Sequence, residues 1–154
     1  MARSKRINKY VEYMTCDEIS CHEIKNPEWK EVKEKLLQID KEMITLVILH
    51  GPSEENTEMV ITAKPGNYHI GIIIDEVEEY LFKGHEIDGI KVDIRGNYWA
   101  NNQICKNIDD LLSIAKTFFE TGKPSPYYSW SYSLEEISVD REGVYYDIFV
   151  SKTR

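Results

Sequence analysis

The sequence lacks any apolar run long enough to cross a bilayer. Its longest runs, Ile44–Leu49 and Ile70–Ile74, have the length of strands, whereas a membrane-spanning helix needs about 20 apolar residues. The first ten residues are basic, but they lead into no apolar segment and no small-residue cleavage site. They therefore do not resemble a secretory signal, and we expect a cytoplasmic protein that has no membrane partner.

Glycine, proline and cysteine are also scarce. Eight Gly and five Pro in 154 residues, with 42% apolar and 11% aromatic positions, exclude a disordered chain. The length predicts a single domain over residues 1–154, in which residues 1–25 have the least clear pattern. The cysteines Cys16, Cys21 and Cys105 cannot all pair within the chain, and we expect free thiols in a reducing cytoplasm.

Negative charge is in excess. The chain has 19 Lys and Arg against 27 Asp and Glu, which gives a net charge of −8. Because the first ten residues carry four positive charges, residues 11–154 carry −12. Such a body repels a phosphate backbone, so the charge argues against direct nucleic-acid binding and favours a basic protein partner.

Two segments have helical periodicity. The first is predicted to run from Pro27 to about Ile39, with Asn26 in position to cap it. The second is predicted over Ile108–Thr121, where Asn107 precedes an acidic first turn and Gly122 follows the last apolar position.

Between and after the helices, short apolar runs are separated by turn residues, which is the pattern of strands. Most connections have hairpin length, so these strands are expected to pair antiparallel. We therefore predict an α+β fold, a mainly antiparallel sheet of about six or seven strands with two principal helices packed against it. The predicted strands are Met43–Leu49, Thr57–Ala63, Tyr68–Ile74, Val77–Phe82, Ile90–Ile94, Tyr98–Trp99, Tyr127–Tyr132 and Val144–Val150, with an optional one around Ile7–Met14.

No catalytic or cofactor motif is complete. The four histidines form no metal-binding pair on a helix, and Cys16 with Cys21 lacks the further ligands that zinc requires. Neighbouring carboxylates such as Glu78 and Glu79 point to opposite faces of a strand and cannot share a proton. We therefore expect no cofactor, no metal and no catalysis. A small enzyme that uses Cys105 or a histidine stays an alternative.

One acidic segment is interleaved with aromatic residues. Six of its fourteen residues are carboxylates, opposed by Lys83 alone. Aromatic side chains dominate binding hot spots, and charge of one sign speeds encounter with an oppositely charged partner. We therefore predict a protein-binding surface, which comprises Asp75, Glu76, Glu78, Glu79, Tyr80, Glu86, Asp88 and Tyr128.

The second predicted helix and the segment after it resemble a known family. The stretch Asn107–Gly122 reads NIDDLLSIAKTFFETG, and Lys123–Trp130 reads KPSPYYSW. This is similar to the closing signature of the Imm1-type immunity proteins of bacterial polymorphic toxin and contact-dependent inhibition systems. In that signature an acidic-capped helix ends in aromatic residues and is followed by Thr-Gly-x-Pro and a strand with a tryptophan. The corresponding residues here are Phe118, Phe119, Gly122, Pro124 and Trp130.

The resemblance implies a non-catalytic α+β protein that binds the C-terminal domain of a cognate toxin in the producing cell. Toxins paired with that family often attack nucleic acids, which implies a nuclease or a deaminase as the target. Such a toxin needs a positively charged cleft, which an acidic cover would block. Trp130 either packs beneath the second helix or anchors the interface, and we favour packing. A generic adaptor subunit is a further alternative.

Overall fold

The main element is an antiparallel sheet. The structure, a computed structural model, describes residues 9–17, 23–84 and 89–134 and the backbone of residues 146–149. Its helices are α1 (Trp29–Leu37) and α2 (Ile108–Thr121). Its strands are β1 (Tyr13–Cys16), β2 (Glu23–Lys25), β3 (Leu46–His50), β4 (Glu58–Lys64), β5 (Asn67–Ile74), β6 (Glu78–Lys83), β7 (Lys91–Ile94), β8 (Asn97–Ala100), β9 (Ile104–Cys105), β10 (Ser129–Leu134) and β11 (Tyr146–Phe149).

Eight strands lie side by side in the order β11-β10-β6-β5-β4-β3-β1-β2, and β9 pairs with the start of β5. Strands β7 and β8 form a separate two-stranded ribbon. Every strand pair in the described ranges is antiparallel. The predicted α+β class is confirmed. The sheet has more strands than expected because β2 and β9 are too short to show an apolar alternation.

Both helices cover one face of the sheet. Side chains alternate across a strand, and the inward side chains of β3, β4 and β5 share one buried cluster with Leu36 of α1 and Phe118 of α2. The other side chains of these strands point to the opposite face of the sheet. The β7–β8 ribbon lies on part of that face, where Trp99 stacks on His69. The inward residues are Val47, Leu49, Met59, Ile61, Ala63, Tyr68, Ile70 and Ile72.

Helix α2 has the predicted bounds. The Asn107 side chain accepts hydrogen bonds from the N–H groups of Asp109 at 2.7 Å and Asp110 at 3.2 Å. Gly122 ends the helix in the left-handed region, at φ 74°. Local cap chemistry therefore sets both ends of this helix.

Helix α1 is shorter than predicted, and its predicted cap is wrong. Glu28 forms a capping box with Glu31, and the segment Gln38–Lys41 is a 3-10 turn. Asn26 instead lies at φ 48°, and its N–H donates to the Glu12 carbonyl at 2.8 Å. Pairing of the chain before the helix with the β1 region thus moves the start of α1 beyond Pro27.

Gly122 has a second role in the fold. The Tyr10 ring lies against both Gly51 and Gly122, and a Cβ atom on Gly122 would come within 2.7 Å of it. The same ring meets Phe118 edge-on at 5.8 Å, and the Tyr10 N–H donates to the Phe119 carbonyl at 2.6 Å. The glycine of the Thr-Gly-x-Pro segment therefore admits the N-terminal chain as well as ending α2.

The expectation of free thiols is wrong for Cys16, which is disulfide-bonded. Cys16 ends β1, and the antiparallel pairing of β1 with β2 returns the chain close to it. Cys105 is a buried free cysteine. In the described ranges, no helix is both long enough and apolar enough to cross a membrane.

Candidate functional site

Four of the predicted binding residues lie at the hairpin between β5 and β6. Asp75 and Glu76 occupy the centre of the turn and are exposed, and Glu78 and Glu79 are the first residues of β6. A backbone hydrogen bond of 3.1 Å between the residues on either side of Asp75 and Glu76 closes the turn. The structure therefore places these four carboxylates at one end of the sheet.

The backbone of this turn favours other residue types. Asp75 and Glu76 have φ angles of 55° and 65°, which is the left-handed pair of a type I′ turn, where Asn-Gly is preferred. Holding a non-glycine residue such as Glu76 in this region costs roughly 1–2 kcal/mol. The hairpin thus carries two carboxylates at its tip at some cost to local stability, as happens at binding sites.

The fold adds carboxylates that the sequence analysis missed. The loop between β3 and β4 lies against the turn, because the Glu76 N–H donates to the Asn56 carbonyl at 3.2 Å and the Asp75 N–H donates to the Thr57 hydroxyl at 3.1 Å. An antiparallel pairing of the two predicted strands that became β4 and β5 would have placed this loop beside the turn, and it was the one signal for their proximity in the sequence. We call the combined set the acidic end, which comprises Glu54, Glu55, Glu58, Asp75, Glu76, Glu78 and Glu79.

A pocket of about 520 Å³ opens at the acidic end. Its lining includes Tyr13 of β1, His50 of β3, Glu58 of β4 and Glu76 of the β5–β6 turn. The rings of Tyr13 and His50 are stacked, with their centroids 4.1 Å apart and their planes at 4°. The pocket therefore combines a flat aromatic wall with carboxylates.

His50 is held on both of its ring nitrogens. Its Nε2 lies 3.2 Å from the Thr15 hydroxyl, and its Nδ1 lies 3.4 Å from a Glu58 oxygen. Burial lowers the pKa of His50, while the carboxylates of Glu58 and Glu23 act in the opposite direction. The ring is therefore largely neutral at pH 7 and does not cancel the charge of Glu58.

The thiol named in the enzyme alternative lies in the core. Cys105 is 1% exposed, and its Sγ lies 3.5 Å from the Asn107 carbonyl. Burial raises the pKa of Cys105 to about 11, so the reactive thiolate is scarce at neutral pH. In the described ranges, no group of three or more His, Cys, Asp or Glu side chains is arranged to hold a metal ion.

Tyr80 lies beside the acidic end. Its hydroxyl donates to a Glu78 oxygen at 3.3 Å, and its ring contacts that of Tyr132 at 5.0 Å. Burial and the Glu78 carboxylate raise the pKa of Tyr80 to about 12. This half-buried ring fixes the orientation of a carboxylate on β6.

Tyr128 lies away from this group. It precedes Ser129, which pairs with Lys83 at the opposite end of β6 from Glu78. Its hydroxyl donates to the Asp110 carboxylate of α2 at 2.9 Å. The structure therefore places Tyr128 with the helix rather than with the acidic end.

Of the two interpretations of Trp130, packing is confirmed. The side chain is fully buried, its indole N–H donates to the Ser125 carbonyl at 3.0 Å, and its ring meets Phe82 edge-on at 6.2 Å. Phe118 and Phe119 lie in the same buried cluster. The predicted binding residues Glu86 and Asp88 lie outside the described ranges.

The fold and this pocket define an α+β protein whose antiparallel sheet carries clustered carboxylates at one end. The chain belongs to a family of unknown function, DUF6911, whose family model matches residues 7–126. No curated protein matches the chain. The crystal structure of a hypothetical protein from Neisseria gonorrhoeae is similar, with a TM-score of 0.56 and 19% identity over 81% of this chain and 97% of that chain. At this identity the likeness concerns the fold.

Proposed function

We propose that this chain is an immunity protein that binds a cognate toxin domain through the acidic end and neutralises it. The observation that carries the proposal is that Glu58 and Glu76, which belong to two different hairpins, line one pocket at the acidic end. The Imm1-type resemblance of Asn107–Trp130 supports the same class. In this proposal the chain acts in the cytoplasm without catalysis and without a cofactor. Its target is a toxin that attacks nucleic acids.

The inhibition follows from charge. A nuclease or deaminase domain presents cationic side chains where the phosphates of its substrate bind. Exposed carboxylates such as Glu54 and Glu76 attract that surface and speed encounter, and a cover placed over the cleft excludes the substrate. A cationic side chain that enters the pocket beside Glu58 would slow dissociation, because a desolvated charge pair is costly to break.

Charge reversal at the acidic end tests the proposal. The variant Glu54→Lys/Glu76→Lys changes two exposed side chains, and we expect its affinity for the toxin domain encoded beside its gene to fall about hundredfold or more. Affinity is measured by calorimetry, and protection by survival of cells that express the toxin domain.

Glu34→Lys/Glu42→Lys is the matched control, because both of its positions are exposed and lie in α1 and the segment after it, outside the acidic end. We expect this control to bind and protect as the parent does. Full protection by the Glu54/Glu76 variant would contradict the proposed surface, whereas a parent chain that neither binds nor protects would contradict the immunity role.

One arrangement favours the enzyme alternative. Thr15, His50 and Glu58 line up as hydroxyl, imidazole and carboxylate, the order found in hydrolytic triads. Against it, the flat Tyr13 ring lies over the imidazole. The variant His50→Phe keeps a ring against Tyr13 and removes any proton transfer, so protection that survives this change separates binding from catalysis.

A further inference from the structure

A second pocket lies on the helical side of the molecule. It measures about 550 Å³ and is lined by the first turn of α1, by α2 and by Lys9, which precedes β1. This volume is in the range of about 300–1,000 Å³ that is usual for small-molecule sites. The pocket at the acidic end has no residue in common with it.

The electrostatics of this pocket are opposite to those of the chain. Lys9, Lys30 and Lys116 line it from three separate segments, although the whole chain carries a net charge of −8. Within the described ranges, none of these three ammonium groups makes a hydrogen bond or an ion pair. The pocket therefore holds three positive charges that are available to an anion.

Two glutamates, Glu28 and Glu120, also line the pocket, and they cancel only part of the positive charge of the three lysines. The Glu28 side chain takes part in the capping box at the start of α1, where the Glu28 N–H also donates to Glu31 at 2.9 Å. Glu120 lies one helical turn from Lys116 without pairing with it. A hydrogen bond from a backbone N–H leaves the charge of Glu28 in place, so three ammonium groups stand against two carboxylates and the lining keeps a net charge of +1.

An aromatic surface completes the pocket. Trp29 is half-buried, and its ring centroid lies 5.7 Å from that of Phe119, with the planes at 58°. Phe119 is 3% exposed and supports the indole from the core side. An indole held in this way presents apolar ring surface beside the lysines, a combination that suits a ligand with a flat ring and a negatively charged group.

We propose that this pocket binds a nucleoside phosphate, with the base against Trp29 and the phosphates among Lys9, Lys30 and Lys116. A compact ligand satisfies both features of the pocket. An extended nucleic acid would run out of this small cationic area onto an acidic surface that repels its backbone. The site is independent of the proposed immunity function.

Binding of ADP to the full chain tests the inference, with adenosine and pyrophosphate as separate arms. We expect ADP to bind with a dissociation constant below about 1 mM and to quench tryptophan fluorescence, and each fragment to bind at least about tenfold more weakly. Calorimetry measures the affinities at low and at high salt. Trp29→Phe is expected to keep binding and to lose most of the quenching.

Charge reversal locates the site. Lys30→Glu/Lys116→Glu is expected to weaken ADP binding at least about tenfold, whereas the control Lys41→Glu/Lys64→Glu, with the same change in net charge at two exposed positions outside the pocket, is expected to stay within about twofold of the parent. Toxin neutralisation is expected to be unchanged in both variants.

Three results would overturn the inference. They are the absence of ADP binding at about 1 mM, an equal loss in the control variant, and tighter binding of a single-stranded oligonucleotide than of ADP. Equal affinity for pyrophosphate and ADP would also overturn it, because the Trp29 surface would then contribute nothing.

Discussion

At His69 an ionisable ring is buried without a polar partner. The side chain is 6% exposed, its ring is stacked on Trp99 of the β7–β8 ribbon with centroids 3.6 Å apart, and its Nε2 has no hydrogen bond within the described ranges. Burial lowers the pKa of His69 to about 4. The ring is therefore neutral at pH 7, and its protonation opposes folding.

The pH dependence of stability follows from this shift. Because the folded pKa lies below the unfolded value of about 6.5, the unfolded chain takes up the proton first as the pH falls. The stabilising contribution of His69 is complete above the unfolded pKa and is lost as the pH falls toward about 4. Between pH 7 and pH 4 we expect the His69 contribution to lower the unfolding free energy of the parent protein by about 3 kcal/mol. The variant His69→Phe is expected to lack this loss.

Urea unfolding of both proteins across this range measures the difference. Protonation of carboxylates is common to the two proteins and cancels in the comparison. Parallel curves for the parent and His69→Phe would contradict the burial of a neutral imidazole.

Gly51 gives a second prediction at the residue scale. The Tyr10 ring occupies the space of a Cβ atom there, so Gly51→Ala is expected to lower the unfolding free energy by about 2–3 kcal/mol through overpacking. Gly66→Ala is the control, because Gly66 has φ 74° but open space around it, and about 1 kcal/mol is expected. In a Tyr10→Ala background the cost at Gly51 should largely disappear, and urea unfolding of the four variants checks this.

At the scale of elements, the β5–β6 turn couples stability to binding. We expect Asp75→Asn/Glu76→Gly to raise the unfolding free energy by about 1 kcal/mol, because Asn-Gly suits a type I′ turn. The same change removes two carboxylates from the acidic end and is expected to weaken toxin binding at least about tenfold. Thermal unfolding and calorimetry measure the two effects.

Glu42→Gly is the matched control for this turn. Glu42 is an exposed carboxylate at φ 62°, it ends the 3-10 turn after α1, and it lies outside the acidic end. We expect the same direction of stabilisation with unchanged toxin binding. Equal binding by the parent and by the Asn-Gly variant would show that the turn carboxylates do not contact the partner.

At the scale of the whole molecule, the net charge of −8 makes association with a basic partner sensitive to salt. Between about 50 and 500 mM salt we expect the association rate constant to fall about tenfold, while the dissociation rate constant changes less than about threefold. Surface plasmon resonance separates the two rate constants. A Glu54→Lys/Glu76→Lys protein should show a flatter association profile, and the same slope as the parent would contradict steering by the acidic end.

Prediction from sequence succeeded where the signals are local. Helix α2 is recognisable because Asn107 and Gly122 cap an amphipathic segment, and the six predicted strands that correspond to β3 to β8 stand between clear turn residues. Prediction failed for the cap of α1, because the Asn26 N–H pairs with the Glu12 carbonyl instead of starting the helix. It also failed for Cys16, because no motif in the sequence indicates its bond.

The candidate site divides in the same way. The carboxylates Asp75 to Glu79 are visible in the sequence because they are neighbours. Their proximity to Glu54 and Glu58 cannot be predicted from the sequence. It arises from the antiparallel pairing of β4 with β5 and from hydrogen bonds between the β3–β4 loop and the β5–β6 turn. The displacement of Tyr128 from this group likewise follows from the register of β10 against β6.

The sequence by itself determined the α+β class, the helix α2 and the excess of negative charge, because periodicity, capping and composition are properties of short segments or simple sums. Only the tertiary structure decided that Glu58 and Glu76 of two acidic segments line one pocket, that Trp130 is enclosed, and that lysines from three segments line another pocket together with Trp29. Each of these depends on strand register and helix packing, which bring together residues that no local pattern relates.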